Sequence, residues 1–451
     1  MAKKIAIVFV FMFSVFLLRG VRALAVLDCS DVSYAKSNES QCQNELTQLN
    51  QQLAQLSQQL ADQQKQTGTL KGDITALTTQ INALKTKIQA RSIVIAQLNN
   101  SINEKITTIS SLSNKIDGEK ESLAQLLRNT NEFDNENTIY LILSDATISD
   151  FYSDLESYDS IKKAVKSSVE KITGMKNDTE QEKQSLQTEQ NAEMDAKAEL
   201  ESAQKKVVQS ETDKKQLLAI SKNKESAYQL LVAQKKTRAD KISAALFQLR
   251  DTKAIPFGTA LTYAKEVGQK TGVSPAFLLA IITQESNLGT DSGSCYVTDF
   301  NTGNGMSSKS GKIFSKVMNP TRDVPPFMDI TKSLGRDPAK TLVSCPIGGY
   351  GYGGAMGPAQ FIPSTWKLFQ DRVASTLGIS VPDPWNPLDA FMASGLYLSD
   401  LGANGNSYSS EMKAACSYYS GKAYSTCAYG RSVMSKASSI QDNIDYIAKN
   451  G

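Results

Sequence analysis

Residues 74–102 read ITALTTQINALKTKIQARSIVIAQLNNSI, which places Ile74, Ile81, Ile88, Ile95 and Ile102 one heptad apart and Leu77, Leu84 and Leu98 on a second track three residues later. Two apolar tracks with this alternation of three and four mark a coiled-coil seam. The register extends outward in both directions. The first track takes in Leu46, Leu53, Leu60 and Thr67 upstream and Ile109, Ile116 and Leu123 downstream. The second takes in Leu49, Leu56, Gln63 and Leu70, then Arg91, Lys105, Leu112, Glu119 and Leu126. An unbroken helix over this span predicts a rod roughly 120 Å long at 1.5 Å per residue. The polar seam positions Gln63, Arg91, Lys105 and Glu119 are expected to fix register at some cost in stability.

The heptads stop after Arg128, and 129–158 holds an Asn- and Asp-rich stretch followed by a short apolar segment. A second, weaker seam starts near Asp159 with Val165, Val169, Ile172, Leu186, Leu200, Val207, Leu217, Leu231, Ile242, Leu246 and Leu249. Between the first residues and Pro256 there is no proline, so nothing is expected to break either helix outright. The economical architecture over 46–250 is an antiparallel hairpin with its tip near 129–158; a parallel homodimer is the competing arrangement. The long heptads and the tip sequence IYLILSDATISDFYSDLESY, residues 139–158, resemble the coiled-coil region of the EnvC, PcsB and CwlO group of wall-hydrolase proteins. That resemblance implies a partner, an FtsEX-type membrane complex engaged through the tip.

The ends and the cysteines speak to compartment. Lys3 and Lys4, the apolar run from Ile5 to Leu18, and Ala23-Leu24-Ala25 compose a signal peptide over 1–25. A retained membrane anchor is the alternative, since Arg19 and Arg22 sit close to the cut. Loss of those 25 residues takes the net charge from +3 to −1, and no basic patch suggests nucleic acid. Six cysteines fall as close pairs, Cys29 with Cys42 in the 26–45 segment, Cys295 with Cys345, and Cys416 with Cys427. Sequential disulfides in an exported protein are the expectation. The chain has no histidine. Ser-His-Asp triads, Cys-His pairs and His-ligated zinc are therefore excluded.

Composition changes at Ile255-Pro256-Phe257-Gly258, and 255–451 suits one domain. Ser274-Pro275 is a helix start, and the helix continues AFLLAIITQES to Ser286, with Asn287 and Gly289 to end it. Leu278, Ile281, Ile282 and Glu285 stand at i, i+3, i+4 and i+7, so Glu285 is expected on an apolar face with a raised pKa. A helix capped at Ser364 follows the loop from Gly353 to Trp366, which reads GGAMGPAQFIPSTW. Asp383-Pro384-Trp385-Asn386-Pro387 opens another helix, and a further one ends at Gly421 after Tyr418.

In this order, these motifs resemble the lytic transglycosylase family with a lysozyme-like fold, nearest the membrane-bound transglycosylase B type. The family pattern runs from a helix ending Glu-Ser, through a Gly-x-Met/Gln-Gln-Phe-Met/Ile-Pro-Ser-Thr-Trp loop and an Asp-Pro-x-x-Pro-x-Asp-Ala helix, to Ala-x-x-Tyr-Asn-x-Gly. The fold expected overall is mainly α, a long antiparallel coiled-coil hairpin followed by an α-rich lysozyme-like domain. Two departures stand out. Tyr419 occupies the usual Asn position, and residues 289–352 form an insertion carrying Cys295 and Cys345. The resemblance implies Glu285 as the acid and base, Ser286 as an orienting or leaving-group contact, Gln360 as a substrate contact, Tyr418 as a hydroxyl facing the acid, and Met356 and Phe361 lining the saccharide groove. It implies cleavage between N-acetylmuramic acid and N-acetylglucosamine of peptidoglycan strands to anhydro products, without metal or organic cofactor. Asp291, Asp299 and Asp383 are candidate second carboxylates for a hydrolytic muramidase, and a non-catalytic glycan-binding regulator is the alternative from another class.

Overall fold

The computed structural model describes residues 29–64, 69–135, 148–220, 225–248, 255–347 and 351–450. The expected signal peptide and residues 136–147 of the expected tip lie outside these residues. The rod comprises α1 (Val32–Ser37), α2 (Glu39–Gln64), α3 (Leu70–Asn135), α4 (Ile148–Ala219) and α5 (Glu225–Gln248). The rod and the domain that follows are predominantly helical, and α3 and α4 pack side by side along their lengths.

Their direction is written in the ion pairs. Lys85 meets Glu211, Arg91 meets Glu199, Lys105 meets Glu182 and Glu119 meets Lys171, so one number rises as the other falls. That ladder is antiparallel. Three of the four polar residues that interrupt the apolar seam, Arg91, Lys105 and Glu119, each find an opposite charge on α4. Pairs this solvated contribute little to stability but penalise a shifted register, in which like charges would meet.

The structure corrects the expectation of two unbroken helices. The first heptad run divides between Gln64 and Leu70, and α1 and α2 run back antiparallel along α3: Gln43 of α2 reaches Gln97, and Lys36 of α1 pairs with Glu104. Leu46 and Leu49 bury against Ala90, Ile93 and Ala96, beside the Cys29–Cys42 disulfide. Small residues Ala76, Ala83 and Ala90 repeat at heptad spacing on α3 and are all buried, a second stripe that admits close helix approach and that a search for Leu and Ile overlooks. The second run divides between Ala219 and Glu225, and Lys235 of α5 pairs back to Asp213 of α4. Proline is not needed for either break. Around the first, the sequence places polar Gln63 and Thr67 at two successive seam positions and follows them with Gly68, a residue of helix propensity about 1 kcal/mol below alanine.

The C-terminal domain comprises α6 (Phe257–Thr271), α7 (Pro275–Ser286), strands β1 (Cys295–Asp299), β2 (Asn304–Ser307) and β3 (Ile313–Phe314), then α8 (Val324–Ser333), α9 (Pro363–Leu377), α10 (Pro387–Asp400), α11 (Tyr408–Ser420) and α12 (Ala428–Asn450). The insertion is the antiparallel sheet β1-β2-β3 with α8, tied down by the Cys295–Cys345 disulfide. Helix α7 starts as its sequence says: Ser274 accepts from Phe277 N, and Pro275 takes the first helical position where no donor is needed. Ala276 through Ile282 are all buried, so these two turns of α7 have no solvent face and form the axis of the core rather than an amphipathic stripe, and the helix then reaches the surface at Thr283 to Glu285. Helix α9 begins two residues earlier than expected, at Pro363 after the N-cap Ile362, and Ser364 instead donates its hydroxyl to the buried Asp323 at 2.6 Å. Among the described residues no helix is long and apolar enough to cross a membrane.

Rod and domain are joined by specific polar contacts. Asp195 of α4 accepts from Ser409 N at 2.6 Å and Ser409 Oγ at 3.0 Å, capping the first turn of α11. Lys205 meets Asp442 of α12 at 2.5 Å, and Arg238 of α5 lies over the Tyr446 ring. In the same first turn of α11, burial pushes the Glu411 carboxyl up to about 7. An unfolded Glu titrates near ~4.3, so the folded state holds this proton over a window where the unfolded state has lost it. The associated stability is fully present below about pH 4 and is lost as pH rises through about 7. Glu411→Gln should therefore stabilise the chain at pH 8, by up to about 3 kcal/mol, and have little effect at pH 4. Urea unfolding at the two pH values checks this; an equal effect at both would contradict it.

Candidate active site

Glu285 is the penultimate residue of α7, and Asn287 ends that helix in the left-handed region at φ 50°. The carboxyl is half-buried at the edge of an otherwise apolar core. Burial raises its pKa above the usual glutamate value, and a hydrogen bond from the Tyr429 hydroxyl to Oε1 partly offsets that rise. Tyr429 lies in the first turn of α12, two residues after Cys427, whose disulfide to Cys416 fastens this turn to α11. One step along the same pair of helices, Ser432 donates to Gln284 Oε1 at 3.0 Å, so α12 grips α7 at both Gln284 and Glu285.

The glycine-rich loop closes over the end of α7. Met356 and Phe361 form a backbone bridge around the turn Gly357-Pro358-Ala359-Gln360. Gly357, at φ 61°, is obligatory: a Cβ there would stand 1.8 Å from the Pro384 carbonyl oxygen. Two hydroxyls strap the turn from either side. Ser286 donates to Pro358 O at 2.6 Å, and Tyr418 donates to Ala359 O at 2.9 Å. Gln360, itself at φ 54°, donates from its amide to Gly357 O at 2.7 Å.

This geometry revises several expected roles. Met356 and Phe361 are 1% and 4% exposed, so they build the wall rather than line the saccharide groove, and Ser286 is 1% exposed. Phe361 packs against Trp366, Phe369, Tyr397 and Tyr418, an aromatic cluster that props up the loop from below. The Ser286 hydroxyl orients the loop, since it also accepts from Gly289 N. The hydroxyl on the acid belongs to Tyr429 rather than Tyr418. Tyr418 is close enough that the Glu285 charge, after burial, helps push its pKa up. Of the candidate second carboxylates, Asp299 is held by Thr302 and the backbone of Asn301, and Asp383 by Arg336 and the backbone of Trp385. Asp291 is exposed, with its backbone N–H donating to Ser286 O. Among the described residues no group of three or more Cys, Asp or Glu side chains is arranged to hold a metal ion.

A half-buried acid with a raised pKa, one phenol on its oxygen and a fixed loop beside it is equipped for proton transfer to a bound substrate. A family model described as the transglycosylase SLT domain matches residues 195–425, just over half of the chain. The chain belongs to the transglycosylase SLT family. No curated protein and no solved structure matches it. The SLT match begins at Asp195, the rod residue that caps α11, and stops short of Tyr429.

Sequence reasoning missed Tyr429 because no motif carries it. The available signal was the cysteine pairing, which places the segment after Cys427 against the helix of Tyr418. Removing the Tyr429 hydroxyl takes a stabilising donor from the carboxylate. Tyr429→Phe should shift the alkaline limb of the pH–rate profile upward and lower turnover by about tenfold or more. A downward shift of that limb, or none, would contradict the assigned hydrogen bond.

Proposed function

We propose that this SLT-family chain is a peptidoglycan lytic transglycosylase in which Glu285 alone handles both proton transfers. The observation that carries the reading is the half-buried, pKa-raised Glu285 under the Tyr429 hydroxyl, set in the matched domain. Protonated Glu285 donates to the glycosidic oxygen between N-acetylmuramic acid and N-acetylglucosamine as the C1–O bond breaks. The substrate's own N-acetyl group stabilises the positive charge at C1. The Glu285 carboxylate, steadied by Tyr429, then accepts the proton of the C6 hydroxyl as O6 bonds to C1. The proton count closes on one residue, and no water enters.

Two further observations support this over a hydrolytic pair of carboxylates. Hydrolytic glycosidases place a second, available carboxylate across the sugar. Of the three candidates, Asp299 and Asp383 are bound up in turn and ion-pair contacts, which leaves Asp291, exposed beyond the end of α7, as the carboxylate a hydrolytic reading would need. On this reading Gln360 and Tyr418 shape the substrate-facing loop. The three disulfides fit an exported enzyme acting in an oxidising compartment, with the rod, domain boundaries at 46–250 and 255–451, and an FtsEX-type partner at the tip placing it on the wall.

The test is mass spectrometry of purified peptidoglycan digested with the full chain and with Glu285→Gln. Anhydro-muramic ends are expected from the parent, falling by about 10²–10⁴-fold in the variant. Reducing ends would replace this reading with a hydrolytic muramidase; tight glycan binding with no cleavage would replace it with a regulator.

A further inference from the structure

The motif departure at Tyr419 acquires a meaning from its surroundings. Tyr418 and Tyr419 are adjacent on α11 and so point in different directions around the helix. Tyr418 turns inward to the loop, while Tyr419 remains 71% exposed. The exposed ring is not idle. It stacks on Tyr429, with centroids 4.9 Å apart and planes inclined by 15°, and Tyr429 is the residue whose hydroxyl touches Glu285. The Cys416–Cys427 disulfide fixes the two helices that carry this pair. Tyr429 covers one face of the Tyr419 ring, and the rest of the ring is open to solvent one aromatic layer away from the tyrosine on the acid.

We propose that Tyr419 is a saccharide-stacking platform beside Glu285, taking the apolar C–H face of an N-acetylhexosamine ring of the glycan strand. The inference rests on the glycan-cleaving reading above and adds a residue that governs substrate affinity. A flat aromatic face offers a pyranose what its own hydroxyl-bearing edge does not, a dry surface matched to its axial C–H bonds. The asparagine of the family pattern presents an amide at this place, suited to hydrogen bonds rather than stacking. This chain therefore holds the sugar by apolar contact where the pattern implies polar contact. Tyr429 already stacks on one face of the ring before substrate arrives, which reduces the side-chain freedom lost on binding.

Binding and turnover separate this role from mere support of Tyr429. A platform that holds ground state and transition state alike raises KM when removed and leaves kcat nearly unchanged. The first measurement is calorimetric binding of the N-acetylglucosamine tetramer to the full chain carrying Glu285→Gln, with Tyr419 as Tyr, Trp, Asn or Ala. Expected is about tenfold weaker binding for Tyr419→Ala and Tyr419→Asn, and retained affinity for Tyr419→Trp. The second is wall digestion by the same Tyr419 variants with Glu285 intact, where KM should rise and kcat hold. Equal affinity across the series alongside active parent enzyme would overturn this inference alone. Lower kcat with unchanged affinity would also overturn it, since Tyr419 would then only steady Tyr429. Neither binding nor cleavage by any chain would overturn it together with the reading on which it rests.

Discussion

Everything chemical in this molecule depends on two helical turns without a solvent face. Helix α7 is apolar from Ala276 to Ile282 and buried on every side over that stretch, so its last turn delivers Glu285 to the boundary between core and solvent. A carboxylate there is poorly hydrated, which favours the protonated form. The single hydroxyl of Tyr429 prevents that preference from becoming absolute. On the proposed mechanism the acid gives up a proton and later accepts one, and both influences serve it: burial to hold the proton, and a donor to receive the negative charge once it has gone.

The surrounding elements read as supports for that arrangement. Ser286, next to the acid, holds Pro358; Tyr418 holds Ala359; the Cys416–Cys427 bond sets α11 against the first turn of α12. The supports extend into the rod. Asp195 caps α11, which bears Tyr418 and Tyr419, and Lys205 anchors the far part of α12, which begins with Tyr429. The SLT match starting at Asp195 falls in the same place as this junction. The last part of α4 thus belongs physically to both units, a rod helix on one face and a docking surface for the catalytic helices on the other.

How much was legible in the sequence follows from the range of each signal. The heptads of Ile74 to Ile102 are a local, repeated pattern, and the antiparallel rod is there. The chain reversals between Gln64 and Leu70 and between Ala219 and Glu225 were not foreseen, because no proline marks either interval. Ser274-Pro275 marked the start of α7 correctly, whereas Ser364 was read as a cap when its hydroxyl bonds to Asp323, 41 residues away. Glu285 was legible from its apolar neighbours and its motif. Met356 and Phe361 were assigned to the saccharide groove by resemblance, and burial moves them into the wall; Ser286, expected to orient the acid or the leaving group, is buried with its hydroxyl on Pro358 O. Tyr429 was invisible, since its contact with Glu285 spans 144 residues and only the Cys416–Cys427 bond hinted at it.

The central claim is that folding alone holds Glu285 protonated beyond the ordinary glutamate range. The most direct measurement is the titration of its side-chain carboxyl by carbon-13 NMR of glutamate-labelled full chain, assigned by the resonance missing in Glu285→Gln. The account predicts a midpoint above the usual 4.5 in the absence of any substrate. A midpoint at or below 4.5 would contradict it, because burial at the end of α7 would then not be what prepares the acid.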